Sequence, residues 1–157
     1  MFRLPLNQVF LLVILSVVLG LGSNLFRDPS LPLLAKQLPV AETVTLTQET
    51  PRLQAITLKQ AKELFDEGIL FVDARDREYY EEGHIAGAWA NPNFMELVFK
   101  LDSLQGRAAA IVVYCSDDGC GDSEDLAYDL QNEGFTNLYV FKGGWLDWTR
   151  ANYPVEP

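Results

Sequence analysis

Apolar residues along this chain follow three successive patterns. From Leu4 to Phe26 there are 23 residues without a charge, flanked by Arg3 and Arg27. As a helix this segment spans roughly 35 Å at ~1.5 Å per residue, enough to cross a hydrocarbon core of ~30 Å. Residues 27–51 are punctuated by Pro29, Pro32, Pro39 and Pro51 and read as a linker, in which Thr43-Val44-Thr45-Leu46-Thr47 forms at most a short strand. Beyond Pro51, strand-like and helix-like segments alternate. Thr57-Leu58-Lys59-Gln60 has the form of a capping box, and Leu58, Ala61, Leu64 and Phe65 repeat at helical spacing until Gly68. Ile69-Leu70-Phe71-Val72 predicts a buried strand ending at Asp73, followed by a charged helix from Asp76 to Glu82 that Gly83 closes. Ala88-Trp89-Ala90 predicts a short strand, and residues 94–101 a helix that ends near Gly106. Residues 111–114 are the clearest strand. A helix opening at Ser123 buries Leu126, Ala127 and Leu130 and stops at Gly134. Residues 138–141 form another strand, and Gly143-Gly144 introduces a helix over residues 145–150.

Alternating strands and helices imply an α/β fold, with a parallel sheet covered by helices on both faces. Ligands of such sheets bind beyond the carboxyl ends of the strands. Asp73 and Cys115, each at the end of a predicted strand, belong on that edge.

A length of 157 residues suits one domain with a substantial core. The net charge of −10 is concentrated: Asp117, Asp118, Asp122, Glu124, Asp125, Asp129 and Glu133 lie between Cys115 and Glu133 with no Lys or Arg among them. This excludes nucleic acid, which requires clustered positive charge. The acidic stretch reads as a solvated face, or as a surface that selects a cationic protein partner. The N-terminal apolar segment is longer than the ~7–15 residues usual in a cleaved signal. Gly20-Leu21-Gly22-Ser23 only weakly imitates a cleavage site, and no lipobox-like cysteine follows. An uncleaved signal anchor is therefore expected. With Arg3 and the amino terminus cytoplasmic, the soluble domain lies on the extracytoplasmic (periplasmic or extracellular) side of a single-pass topology.

Chemistry is concentrated at the end of the 111–114 strand. The apolar run stops at Cys115, and the loop Ser116, Asp117, Asp118, Gly119, Cys120, Gly121 and Asp122 leads to Ser123. A strand, a tight loop and a helix N-terminus in that order aim backbone N–H groups at the space above the loop. A thiol there is shifted toward thiolate without a histidine partner. Local sequence equally fits a small buried cysteine that ends a core strand.

Longer motifs bear on that choice. The stretch Val72-Asp73-Ala74-Arg75-Asp76-Arg77-Glu78-Tyr79-Tyr80-Glu81-Glu82-Gly83-His84-Ile85-Ala86-Gly87-Ala88 resembles the signature of the rhodanese domain. Val113-Tyr114-Cys115 resembles the strand that ends in that family's persulfide-forming cysteine. Gly134-Phe135-Thr136-Asn137-Leu138-Tyr139-Val140, followed by Gly143-Gly144-Trp145, resembles its closing strand and turn. Together these motifs cover about residues 54–150. The resemblance implies a rhodanese-like five-stranded parallel sheet with helices on both faces, here preceded by one transmembrane helix. The expected organisation is an anchor over 1–26, a linker over 27–51 and a rhodanese-like domain over 52–157. It also implies sulfane-sulfur transfer: Cys115 attacks the outer sulfur of a donor such as thiosulfate, and backbone N–H groups of residues 116–121 hold the persulfide. A thiol or a protein cysteine then accepts the sulfur. Asp73 and Arg75 resemble the family's charged pair at the rim, with a structural role, and His84 reads as a turn anchor. A single His excludes a Cys-His-Asn protease and a Cys₂His₂ zinc site. Trp89, Trp145 and Trp148 read as packing residues.

The loop departs from the family pattern. Seven residues, Ser116 to Asp122, separate Cys115 from Ser123 where active members commonly have five, and the family's usual arginine is missing. Gly121 stands where related phosphatases need the Arg of Cys-x₅-Arg, so phosphatase and arsenate reductase activities are not expected. The loop carboxylates repel anionic donors and disfavour a thiolate. Cys120 lies five residues after Cys115, and such a pair can bridge if the Cα atoms come within ~7 Å. Cys120 either resolves a Cys115 persulfide or sulfenate, leaving a disulfide, or is an incidental small residue in the loop. Two soft ligands alone do not make a Cu(I) site, and no metal or other cofactor is expected. Three functions follow in order of preference: a membrane-anchored sulfurtransferase, a thiol–disulfide redox protein on the same scaffold, and a non-catalytic interaction module.

Overall fold

The computed structural model describes residues 6–27, 38, 40, 52–91 and 93–157. They belong to two compact units, Met1–Gln37 and Leu38–Pro157. The described element of the first is helix α1 (Leu6–Leu25), whose 20 residues carry no charge. At ~1.5 Å per residue it is roughly 30 Å long, and it is long and apolar enough to cross a membrane. Most of the expected linker over 27–51, including its possible strand at Thr43–Thr47, lies outside the described residues. Val40 is described, and it bridges in parallel to Ala55.

In the second unit the order is β1 (Arg52–Ile56), α2 (Leu58–Asp66), β2 (Leu70–Asp73), α3 (Arg77–Glu82), β3 (His84–Ile85) and β4 (Trp89–Ala90). There follow α4 (Phe94–Leu104), β5 (Ala110–Tyr114), α5 (Asp122–Asn132), β6 (Asn137–Phe141), α6 (Gly144–Arg150) and β7 (Val155–Glu156). Among the described residues five strands form one sheet in the order β1-β6-β5-β2-β4, every pair parallel. This is the sheet expected from the sequence. The central strand β5 is registered Val113↔Val140 on one side and Val72↔Val113 on the other.

Alternation of side chains along β5 and β6 divides the core into two layers. Val112, Tyr114, Tyr139 and Phe141 face Ala61 and Leu64 of α2 and Trp148 of α6. Ile111, Val113, Leu138 and Val140 face Leu97, Val98 and Leu101 of α4 and Leu126, Ala127 and Leu130 of α5. Both faces are dry, which is why these strands read as unbroken apolar runs.

Local signals account for the helix starts. The Thr57 hydroxyl accepts from Gln60 N at 3.4 Å and Gln60 Oε1 accepts from Thr57 N at 2.9 Å, completing the capping box. Asn93 caps α4 by accepting from Met95 N and Glu96 N. Several details depart from the sequence-based reading. β1 adds an edge strand before the capping box, and α4 runs to Leu104. α5 begins at Asp122, behind a Gly121 that offers no side-chain cap. His84–Ile85 is a short strand paired antiparallel with β7 at the carboxyl terminus.

Candidate active site

Cys115 follows the last residue of β5 and is 2 % exposed. Its main chain is fixed from α6: Trp145 N donates to Cys115 O at 2.8 Å, and Leu146 N to Ser116 O at 2.9 Å. Gly144 makes this approach possible. It adopts φ +56°, and a Cβ on it would overlap the Cys115 carbonyl oxygen and lie 2.9 Å from the Ser116 carbonyl carbon.

The loop then turns on Asp117. Gly119 N donates to Asp117 Oδ1 at 2.8 Å and Cys120 N to Asp117 O at 3.2 Å. These two amides, expected to face a persulfide, instead close the turn. The turn carries Cys120 back over Cys115, with Cα atoms 6.1 Å apart and the two sulfurs joined in a disulfide. Asp122, the first residue of α5, lies beside the bridge. Its Oδ2 is 3.8 Å from Cys115 Sγ and 3.5 Å from Cys120 Sγ. Those three ligand atoms lie within 4.8 Å of one another, but while the sulfurs are bonded to each other, thiolate ligation of a metal requires prior reduction. Ser123 is buried under the loop, while Asp117, Asp118, Gly119 and Gly121 are exposed.

Asp73 and Arg75 are buried beneath the sheet edge rather than open at its rim, at 0 % and 7 % exposure. The Arg75 guanidinium donates from Nη2 to Asp73 Oδ2 at 2.6 Å and to Gly83 O at 2.8 Å, and from Nε to Asp73 Oδ1 at 3.0 Å. Tyr114 OH donates to Asp73 Oδ2 at 2.6 Å and accepts from Ile85 N at 3.1 Å. Burial pulls the Arg75 pKa down, but hydrogen bonds and charge from Asp73 outweigh it, and the guanidinium ends above the ordinary arginine value. Burial and the Asp73 charge hold the Tyr114 hydroxyl neutral far above the usual tyrosine range. Arg75 therefore serves the fold's edge. It reaches the cysteine only indirectly, with its guanidinium carbon 4.8 Å from the centre of the Trp145 ring, whose backbone N–H holds Cys115 O.

His84 lies away from the sulfurs' hydrogen-bond partners. Its Nδ1 is 3.1 Å from Tyr80 O, its Nε2 3.7 Å from Glu156 Oε2, and its ring stacks on Tyr80 at 3.8 Å. The site residues that sequence reasoning missed are Gly144 and Trp145 as holders of the cysteine carbonyl, and Asp122 as the carboxylate at the sulfurs. The Gly143-Gly144 pair was the available signal for the first, because adjacent glycines before a helix mark a close backbone approach.

Comparison with known proteins bears on the family and the fold. A family profile described as Rhodanese-like domain matches residues 57–151. The chain is similar to the thiosulfate sulfurtransferase GlpE of Pseudomonas entomophila, 34% identical over 101 residues, 64% of this chain and 88% of that protein. It is also similar to GlpE of Haemophilus influenzae, 32% identical over 101 residues, 64% of this chain and 92% of that protein. Among solved structures, the rhodanese-like domain of an Anabaena sp. protein superposes with a TM-score of 0.54 at 29% identity, covering 64% of this chain and 76% of that one.

Proposed function

This chain belongs to the rhodanese-like domain family, and from that premise we propose that it is a sulfurtransferase carrying sulfane sulfur as a persulfide on Cys115, with Cys120 as the resolving thiol. The reading rests on one observation: the cysteine at the carboxyl end of β5 is within bonding reach of a second cysteine in its own loop. Cys115 thiolate attacks the outer sulfur of the donor, and the donor's remaining part leaves with the electron pair. Cys120 then attacks Cys115 Sγ, hydrosulfide leaves, and the Cys115–Cys120 disulfide forms. An external thiol reductant restores both thiols. With Cys120 idle, a thiol or a protein cysteine takes the outer sulfur directly. Helix α1 serves as the single-pass anchor over 1–26 and residues 27–51 as the tether, with the domain over 52–157 on the extracytoplasmic side, where a resting disulfide is stable.

Intact mass measurement of the reduced full-length protein in detergent, after treatment with thiosulfate or an organic persulfide, tests the chemistry. Cys120→Ser should gain one sulfur atom, Cys115→Ser none, and the unsubstituted chain should release sulfide and finish as the disulfide. A Cys120→Ser protein that gains no sulfur from any donor refutes the carrier role. The disulfide itself favours a second reading, thiol–disulfide exchange on the same scaffold, which predicts reversible reduction of the pair by a dithiol and no persulfide in any variant.

A further inference from the structure

The surroundings of Cys115 bear on which donor can load it. Of the seven carboxylates between Cys115 and Glu133, Asp122 is the one at the sulfurs, within 3.8 Å of both. Cations on the segments bordering the loop are each engaged elsewhere. Arg75 is held by Asp73 and Gly83 O, Lys142 Nζ by Glu124 and, at 3.8 Å, Asp118, and Arg150 by Asp147 at 3.9 Å. Among the described residues, an anion arriving at Cys115 therefore meets the Asp122 carboxylate and no unpaired cationic side chain on these segments.

We propose that Asp122 determines donor specificity, so that the site prefers sulfane sulfur from a persulfide whose carrier thiol is uncharged or cationic and disfavours oxyanion donors such as thiosulfate. This rests on the sulfur-carrier reading above and names its substrate class. To react, a donor's outer sulfur must come within bonding distance of Cys115 Sγ, which puts its leaving group about 4–6 Å from the Asp122 carboxylate. At 4 Å, unit like charges disfavour approach roughly fivefold even at the dielectric of bulk water, so a dianion suffers roughly thirtyfold. Screening at physiological salt leaves roughly tenfold. An ammonium on the carrier reverses the sign. The loading step is then Cys115–S⁻ + R–S–SH → Cys115–S–SH + R–S⁻: the Sγ–S bond forms as the donor S–S bond breaks, R–S⁻ leaves with the electron pair, and no external oxidant or reductant takes part.

The test measures second-order loading of Cys115 in full-length protein in detergent. A Cys120→Ser background makes the persulfide accumulate, and the donors are thiosulfate and the persulfide of 2-aminoethanethiol. Asp122→Asn is expected to raise the thiosulfate rate constant roughly tenfold and lower that of the cationic donor about threefold, so their ratio moves by roughly thirtyfold. Asp125→Asn, which removes a charge in the same helical turn but not at the sulfurs, should shift that ratio much less. Because Asp122 opens α5, a second measurement keeps Asp122 in place. Raising ionic strength should accelerate thiosulfate and slow the cationic persulfide. A donor ratio that Asp122→Asn leaves unchanged, or whose salt dependence is the same with and without the Asp122 charge, overturns the proposal while leaving the carrier role intact. If neither donor leaves sulfur on Cys115, the carrier reading fails and the donor preference with it.

Discussion

Replacing Gly144 with alanine should unseat the cysteine loop, and the structure sets the size of the effect. Gly144 has φ +56°, where a Cβ costs alanine about 1–2 kcal/mol. The new methyl would also overlap the Cys115 carbonyl and crowd that of Ser116. Relieving it means moving α6 away from β5 and weakening the Trp145 N–Cys115 O and Leu146 N–Ser116 O hydrogen bonds. Overpacking of this kind costs about 1–3 kcal/mol, which makes about 2–5 kcal/mol in all. Gly68→Ala provides the internal reference, because Gly68 has φ +78° and nothing within 4 Å of its would-be Cβ. It should lose only the conformational ~1–2 kcal/mol. Equilibrium urea unfolding, followed by the fluorescence of Trp145 and Trp148, measures both. The Cys115–Cys120 bridge should also be reduced faster by a dithiol in Gly144→Ala, since its anchor has loosened. If Gly144→Ala is no less stable than Gly68→Ala and its disulfide reacts at the parental rate, the loop is not held from α6.

Asp73→Ala leaves the buried Arg75 guanidinium without its counter-charge and should destabilise the domain by about 3–5 kcal/mol, read from thermal unfolding. Tyr114 is held neutral by burial and by the Asp73 charge, so its pKa is raised in the folded state. The stability it contributes is intact below the ordinary tyrosine value of 10.0 and declines as pH rises above it. Tyr114→Phe should flatten that alkaline decline in a urea-midpoint titration, while lowering stability at neutral pH by leaving Ile85 N unpaired. Reduction of the Cys115–Cys120 bridge, which spans a separation of 5 residues, should lower stability by about 2 kcal/mol on chain-entropy grounds. Paired urea titrations with and without a thiol reductant check this.

Parts of the molecule with a strong local cause could be read from the chain. The Thr57–Gln60 box needs four consecutive residues, and β2, β5 and β6 announce themselves as apolar runs because both their faces are covered. β1 lacks that signal. It is an edge strand with one neighbour in the sheet, it follows Pro51, and Arg52 and Gln54 interrupt its apolar residues. The β3–β7 pair has two residues per strand and joins His84 to Glu156 across most of the domain, too short for periodicity and too distant for a turn signal. The same distance hid the Trp145–Cys115 contact and the hydrogen bond from Tyr114 to Asp73, whereas Asp73 and Arg75, two residues apart, stand out as a pair in the sequence. In the sequence Asp122 is one loop carboxylate among several, because only the returning turn at Asp117 brings the sulfurs to it.

In the sulfur-carrier reading, the position of Asp122 also affects which way the cycle would run. The N-terminus of α5 supplies partial positive charge worth about 0.3–1 kcal/mol to a nearby anion. A carboxylate at about 4 Å opposes that anion by about 1 kcal/mol even in bulk water. The helix therefore gives Cys115 no net advantage as a thiolate, and neither the thiolate nor a persulfide anion is favoured while Asp122 is charged. The disulfide carries no charge and escapes this repulsion. On that reading, attack of Cys120 on a Cys115 persulfide takes the negative charge out of the loop on hydrosulfide, so the carboxylate that hinders loading favours the disulfide product. A loop with an arginine in place of this carboxylate would do the opposite, holding the persulfide and drawing in oxyanions. In the sulfur-carrier reading, then, the acidic loop and the second cysteine work together: Cys120 provides the route for release, and Asp122 supplies the bias toward it.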